Sequence, residues 1–547
     1  MKNKFLILAI ILITIGAIIG GVFGRLPAKS SANTGLSEEG ITDDYSEAIE
    51  LIDQKYVEKI EREKVLDSSI QGMLWTLDPH SSFFTRDEFR KLYEEQQSQF
   101  YGIGVSILRH RDGVYVQSVI PNTPADKEGI RFGDRFFEVE GKDATDWSGA
   151  EVSKNVRGER GTKVNVKVKR AGQEEPLEFT ITRGGVPLPS IRNYFMLKDN
   201  VGYVGLSGGF QETTAEELDQ AIADLKKQGM EKLLLDLRGN PGGLLPQAVE
   251  VTSRFVPEGQ TVVSVKGRIK DTQFRELRSV GGTLNDFPLV VMINGGSASA
   301  SEIVAGAIQD YGRGLVVGSE SFGKGLVQKI YPLPYGTGLT LTTARYYTPY
   351  GRSLQRDYSS GSIYDYYTHA NDFEEGVDVE SAEEKPKPKG EAVKTAGGRV
   401  FYGGRGIEPD LKAPNLAYTP LRARINEAAF FYVRELVAGE IKGFESYRTE
   451  KQNYALTIGA NDIQIGDGLF NSFISYTVSD KKNGLSGGNI KSQEKYAKAR
   501  LRELIATAKY SGEAGQQVFL ENDPQVLKAI DALPEAKKLI DTILAKK

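Results

Sequence analysis

Residues Pro288–Tyr311 read PLVVMINGGSASASEIVAGAIQDY, an apolar run, a turn of small residues, and a stretch with a different period. Leu289–Ile293 contain no polar residue, the composition of a strand buried on both faces. Ile303, Val304, Ala307, Ile308 and Tyr311 recur at helical spacing, so the segment predicts strand, turn, helix. The same alternation continues on either side: strand VGYVGLS, helix TAEELDQAIADLKKQ, strand KLLLDLRG, helix LLPQAVEVTSRF, strands QTVVSV and GLVVGS. Continuous apolar strands between amphipathic helices imply an α/β domain whose sheet is covered on both faces, with its chemistry at strand-to-helix turns.

The GGSASASE turn offers Ser297, Ser299 and Ser301. Ser299-Ala300-Ser301-Glu302 has the S-x-x-E form of a helix capping box. The same serine, flanked by glycines and alanines at a helix start, is uncrowded and faces N–H groups able to stabilise an oxyanion. A second oxyanion partner is available in DLRGNPGG, Asp236–Gly243, where Gly242 and Gly243 expose backbone N–H groups. Such glycine-rich turns also bind phosphates, but neither GxGxxG nor GxxxxGK[ST] is present.

A serine nucleophile needs a base, and the chain holds three histidines. His80 and His110 lie outside the α/β pattern and His369 sits beside an acidic run, so Lys324 in FGKGLVQ is the remaining candidate. His80, in the turn LDPHSS next to Pro79, reads as a capping or packing residue. A lysine base must be neutral, which requires burial to lower its pKa from about 10.4. Ser321 forms S-x-x-K with Lys324, but the glycines on both sides of the lysine argue against the helix that this pattern needs, and Ser321 is expected to line the loop.

Between Phe100 and Arg183 the period is two: YGIGVSIL, GVYVQSVI, DRFFEVEG, TKVNVKVKR and LEFTITR, with TPADKEGIRFGD after the second. This arrangement resembles a PDZ domain. Tyr101-Gly102-Ile103-Gly104 matches its carboxylate-binding loop, in which glycines let backbone N–H groups converge on a peptide's terminal carboxylate.

The remaining segments set the organisation. Phe5–Gly24 is uncharged over 20 positions after Lys2 and Lys4, long enough to cross about 30 Å of hydrocarbon. It reads as an uncleaved, single-pass anchor in the inner (cytoplasmic) membrane with the catalytic part on the extracytoplasmic face. The expected domains are residues 1–40, anchor and linker; 41–98, helical; 99–185, PDZ-like; 186–418, the α/β core; and 419–547, a region of unassigned role with helical stretches. An acidic insertion near 355–398 interrupts the core, with seven acidic and no basic residues in Asp372–Glu384. Lys+Arg 69 against Asp+Glu 73 argues against a nucleic-acid-binding face, and the absence of cysteine excludes a thiolate nucleophile or a disulfide framework. The N-terminal helices are a place where copies of the chain could assemble.

SASASE, Lys324 placed 25 residues after Ser299, LDPHSS, the PDZ-like module and LRGNPGGLL resemble, in this order of domains, the carboxy-terminal processing (tail-specific) proteases, over about Asp43 to Pro414. The resemblance implies Ser299 as nucleophile, Lys324 as general base and Gln328 orienting the lysine. It implies an oxyanion hole from Ala300 N–H and the N–H of Gly242 or Gly243. It further implies a ClpP/crotonase-like core and cleavage near substrate carboxyl termini, the partners being proteins or peptides with free C-termini. This reading calls for no metal and no cofactor. Two alternatives use the same features: a crotonase-like acyl-CoA enzyme and a non-catalytic PDZ scaffold.

Overall fold

The computed structural model describes residues 38–96, 99–270, 273–282, 284–359, 366, 390–395, 397–414, 418–454, 458 and 462–544. The predicted span Phe5–Gly24 and the acidic run Asp372–Glu384 lie outside them, and among the described residues no helix is long and apolar enough to cross a membrane. The chain divides into two bodies, one up to Ile70 and one from Gln71 onward. The first holds α1 (Glu38–Lys55) and most of α2 (Arg62–Trp75), the two helices expected there.

The second body opens with β1 (Ser82–Phe84) and α3 (Arg86–Gln96). The period-two region follows. β2 (Gln99–Gly102), β3 (Val105–His110), β4 (Gly113–Val119), α4 (Pro124–Glu128), β5 (Arg135–Val139), β6 (Lys142–Asp143), α5 (Gly149–Val156), β7 (Lys163–Lys169), β8 (Leu177–Thr182) and β9 (Gly184–Pro187) form a β-rich module. Its main sheet runs β3-β4-β5-β7-β8, and β2 pairs separately with β9. In β7, KVNVKVK, alternation buries Val164, Val166 and Val168 beside Val114, Val116 and Phe136 while the lysines face outward.

The α/β core has β10 (Ile191–Met196), β11 (Val201–Leu206), α6 (Thr214–Lys227), β12 (Lys232–Asp236), α7 (Leu245–Ser253), β13 (Thr261–Gly267), β14 (Arg275–Arg278), β15 (Leu289–Ile293), α8 (Ala300–Tyr311), β16 (Leu315–Gly318), β17 (Leu326–Pro332), β18 (Gly338–Tyr347), β19 (Ala392–Lys394), β20 (Val400–Tyr402) and β21 (Leu411–Lys412). One sheet runs β10-β11-β12-β15-β16-β21, parallel throughout except for the β10–β11 pair. QTVVSV does not join it. As β13 it pairs antiparallel with β14 and β18 in a second sheet that also holds β1 and β17.

The six-stranded sheet is covered on both faces, but by unequal means. Helices α6, α7 and α8 cover one face with Leu218, Leu225, Ala248, Val304 and Ile308. The other is covered from the far end of the chain. After α9 (Pro420–Ala438), α10 (Asp467–Ser479), α11 (Gly487–Ser492), α12 (Glu494–Lys509) and α13 (Gly512–Leu520), α14 (Pro524–Leu544) lays Val526, Ala529, Leu533 and Ala536 against Tyr203, Leu234, Val290, Met292 and Val317. Each large side chain buried this way contributes about 1.5–3 kcal/mol. The C-terminal region, which no sequence motif explained, is therefore a structural part of the core.

It also seats the β-rich module. His110 stacks on Phe430 with ring centroids 4.1 Å apart, and Tyr115 and Phe132 join the same aromatic cluster. Arg111 pairs with Asp480 at 2.7 Å and Asn483 at 2.9 Å, and Arg434 Nε donates to the Gly133 carbonyl at 2.8 Å.

Candidate active site

The serine turn joins β15 to α8, and its three hydroxyls differ in what they do. Ser297 Oγ donates to the Leu237 carbonyl at 2.8 Å and Ser301 Oγ to the Asn240 carbonyl at 3.0 Å; both side chains are buried. They lace the serine turn to the Asp236–Gly243 turn. Ser299 alone is half-buried, and its backbone sits at φ 56°, ψ −115°. That conformation costs a non-glycine residue about 1–3 kcal/mol and persists only where its surroundings impose it. Strain of this kind holds a nucleophile proud of a strand-to-helix turn.

The imposing group is Glu302. Its carboxylate is fully buried in the first turn of α8, and Oε2 accepts from Ser299 N–H at 2.8 Å, the return half of the expected capping box, while Glu302 N–H bonds the Ser299 carbonyl at 2.9 Å. The same oxygen accepts from Lys324 N–H at 2.8 Å. Oε1 accepts from Ser321 Oγ at 2.5 Å and Gly323 N–H at 2.7 Å. Burial pushes the Glu302 carboxyl up, while these four hydrogen bonds to its ionised form pull it down. Because one oxygen holds both backbone nitrogens, the serine and lysine turns are pinned side by side.

Ser321 is buried; besides donating to Glu302, its hydroxyl accepts from Ile407 N–H at 2.6 Å. It lines the loop, as expected. Burial lowers the Lys324 pKa below the usual lysine value, opposed by the charges of Glu302 and Asp78. Its flanking glycines permit the close approach: a Cβ on Gly325 would stand 2.6 Å from Gln355 N and one on Gly323 3.0 Å from Gly406 N. Tyr346, buried on β18, donates its hydroxyl to the Lys324 carbonyl.

Gln328 lies on β17 opposite Thr342, after a register shift between Val327 and Gln328. Its Nε2 donates to Thr342 Oγ1 at 3.0 Å, and among the described residues it makes no hydrogen bond to Lys324. The amide thus faces β18, where Thr342 begins a chain of contacts. Thr342 N–H bonds Ser81 Oγ at 3.1 Å, and Ser81 Oγ bonds Asp78 Oδ2 at 2.7 Å.

That chain belongs to LDPHSS, and it brings in a residue the sequence reading set aside. Asp78 Oδ1 accepts from the N–H groups of His80 and Ser81, each at 2.8 Å, folding the turn. His80 Nε2 then meets Tyr366 Oη at 2.8 Å. Burial and the neighbouring Lys324 charge drive the His80 pKa down to about 3, so the ring is neutral. The signal was present in the motif, but the influence of Lys324 on His80 acts between segments far apart in the chain and has no local signature.

The glycine turn meets Ser299 directly. A Cβ on Gly242 would stand 2.7 Å from Ser299 Cβ and 3.0 Å from Ala300 N. Gly242 was one of two candidate oxyanion donors, but its N–H is taken by Asn240 Oδ1 at 2.8 Å, in the local turn that asparagine favours. Among the described residues the N–H groups of Gly243 and Ala300 take no partner. Gly243 has φ 146°, and a Cβ there would stand 2.2 Å from the Phe210 carbonyl oxygen. Only glycine fits.

At the module's Tyr101–Gly104 loop, Gly104 has φ 89°, and a Cβ would fall 2.3 Å from Thr123. The Gly104 carbonyl accepts from Ile120 N–H at 3.0 Å and the Ile103 carbonyl from Ala125 N–H at 2.7 Å. Among the described residues the N–H groups of Ile103 and Gly104 take no partner. Among the described residues no cluster of side chains is suited to hold a metal ion.

Comparison with known proteins agrees with this arrangement. Residues 200–366 match the peptidase family S41, residues 102–181 the PDZ domain, and residues 27–88 the activating protease CtpB N-terminal domain. The carboxy-terminal-processing protease of Bartonella bacilliformis is 36% identical over 394 residues, 71% of this chain and 89% of that protein. The carboxy-terminal processing protease CtpB of Bacillus subtilis is 33% identical over 334 residues, 60% of this chain and 68% of that protein. Among solved structures, a photosystem II D1 C-terminal processing protease is 30% identical and aligns on 57% of this chain and 89% of its own, with a TM-score of 0.33. The chain belongs to the carboxy-terminal processing proteases, serine-type peptidases of family S41 that carry a PDZ domain.

Proposed function

We propose that this protease cleaves by a Ser-Lys mechanism through an acyl-enzyme. Neutral Lys324 takes the proton as Ser299 Oγ adds to the scissile carbonyl carbon. The oxygen that becomes negative is held by Ala300 N–H and Gly243 N–H. Collapse breaks the C–N bond, and the leaving amine takes the proton from Lys324, leaving an ester on Ser299. Water, deprotonated by Lys324, then attacks that ester and releases the new carboxylate. Gln328 acts on the lysine side through Thr342, Ser81 and Asp78. We read the core as ClpP/crotonase-like, because its two glycine-bearing turns at the sheet's carboxyl edge supply the oxyanion donors. The PDZ module captures C-terminal tails at Ile103 and Gly104, with Tyr101 and Gly102 shaping the loop. Phe5–Gly24 anchors the chain in the inner membrane, with the protease on the extracytoplasmic face.

The observation that carries this reading is the single Glu302 oxygen that bonds both Ser299 N–H and Lys324 N–H at 2.8 Å. The full chain in detergent should digest an unfolded protein and react covalently at Ser299 with a phosphonate probe. Ser299→Ala should abolish both. A Ser299→Ala chain that still cleaves, with Ser321→Ala dead, would overturn the assignment.

A further inference from the structure

Residues beyond the matched peptidase segment reach the surroundings of the oxyanion turn at Arg238. Arg238, at the end of β12, is mostly buried, with 14% of its side chain exposed. Its Nε bonds Asp236 Oδ1 and Oδ2 at 3.0 Å each. Nη1 reaches across to the C-terminal region, donating to Asp523 Oδ2 and to Gln525 Oε1 at 2.7 Å each. Both partners are themselves fixed. Asp523 Oδ1 caps α14 by accepting from Gln525 N–H at 2.8 Å and Val526 N–H at 3.3 Å. Gln525 Nε2 donates to the Ala413 carbonyl at 2.8 Å, beside β21.

Downstream of Arg238, Gly239 and Asn240 are tied to the serine turn. Gly239 N–H and Gly296 N–H share Asn294 Oδ1 at 2.9 and 3.0 Å. The Asn240 carbonyl accepts Ala298 N–H at 3.0 Å, and Asn240 Oδ1 holds Gly242 N–H at 2.8 Å. A cavity of about 360 Å³ lies over this junction, lined by Ser207, Asn294, Gln516 and Phe519 among others. Arg238 and Gly239 line this cavity, while Leu237 between Asp236 and Arg238 is buried in the core, so on the cavity side directional contacts set the position of the turn. A buried ion pair adds little net stability against an apolar replacement, whereas it fixes geometry closely.

We propose that Asp523 and Gln525 are positioning residues for the peptidase reaction: by holding Arg238 they place the Asp236–Gly243 turn, and with it Gly243 N–H, against the oxyanion. The C-terminal helical region is on this account part of the catalytic unit. The inference rests on the oxyanion role assigned above to Gly243.

The test uses the full chain and a short peptide substrate. Asp523→Asn keeps an oxygen able to cap α14 but removes the charge facing Arg238, and Gln525→Ala removes the second acceptor. Losing one oxyanion donor costs about 10²–10³ in kcat, so misplacing one should cost about tenfold or more. The double variant should lose that factor in kcat with KM little changed. Its affinity for a peptidyl boronate, whose tetrahedral adduct places an oxygen in the oxyanion position, should fall in parallel. Wild-type kcat and boronate affinity in a folded double variant would overturn the proposal, as would a loss that merely tracks the folded fraction. If the double variant does not fold, the same criteria apply to Asp523→Asn alone. A wild-type chain without peptidase activity would instead overturn the reading of the site, and this role with it.

Discussion

The two sides of the proposed active site are built on different plans. The side of Ser299, the proposed nucleophile, is local. Ser299 sits in a turn whose bonds run to its own helix and to the neighbouring Asp236–Gly243 turn, both at the carboxyl ends of adjacent parallel strands. The base side is assembled from afar: Lys324 is surrounded by Asp78 and His80 before the PDZ module, Tyr346 on β18, and Glu302 on α8. A nucleophile needs a fixed position and open access, which one strained turn supplies. A lysine base needs a shell that strips water from its ammonium, and a shell must close from several directions.

The largest effect should come from breaking the base side. Lys324→Arg keeps a positive charge that is not lost in proteins, so it should be as inactive as Lys324→Ala, each losing on the order of 10³-fold or more in kcat. On the proposed mechanism protonated Lys324 is the inactive form, so activity should rise as pH climbs through its lowered pKa. His80, with a pKa of about 3, is already neutral and adds no step between pH 5 and 8. A pH–rate profile of kcat/KM measures both points. Substantial activity in Lys324→Arg, or a step near pH 6.5 that disappears in folded His80→Gln, would remove the lysine from its role.

A smaller effect should follow from uncoupling the two sides. Glu302→Gln preserves shape, but an amide NH₂ cannot accept, so one of the two carboxylate oxygens, and the two bonds it receives, is lost. If the NH₂ takes the Oε2 position, Ser299 N–H and Lys324 N–H lose their shared acceptor together. A displacement of about 1 Å at a reacting group costs on the order of a hundredfold, which is the expected fall in kcat, with KM little changed. The thermal midpoint should fall as well, since hydrogen bonds to a charged group contribute about 1.5–3 kcal/mol each. Wild-type kcat in Glu302→Gln would show that the two turns hold their places independently.

This contrast also explains what could be read from the sequence. PLVVMIN, the serine turn and its helix were legible because strand period, capping residue and helix face all lie within one short segment. QTVVSV was legible as a strand, but not as a member of the second sheet, because its partners β14 and β18 are chosen by pairing rather than by its own pattern. Gln328 was expected to orient Lys324, and its amide bonds Thr342, its partner across β17 and β18 just after a register shift. His80 and Asp78 looked like turn residues, which they are; their proximity to Lys324 is a tertiary fact. The C-terminal region carries no motif because its contribution is apolar cover for the sheet and a few side-chain contacts, Asp523 and Gln525 among them.

The smallest effect concerns substrate capture, which the comparison separates from chemistry. At Ile103 and Gly104 the module leaves two adjacent backbone N–H groups without a partner among the described residues, as the core does at Ala300 and Gly243. On the proposed mechanism the groups in the core would meet charge only in the transition state; those in the module would meet a carboxylate already present in the ground state. Charge-assisted hydrogen bonds are roughly twice as strong as neutral ones, so amidating the C-terminus of a long peptide should weaken capture by about tenfold. The loss should fall on KM at subsaturating substrate and leave kcat unchanged, because uniform binding does not alter the chemical step. A short peptide cleaved without engaging the module should be indifferent to amidation. Equal kcat/KM for the free-acid and amidated forms of the long peptide would mean that the tail is recognised elsewhere. A loss in kcat rather than KM would mean that the module, through the C-terminal helices on which it sits, also alters the catalytic turns.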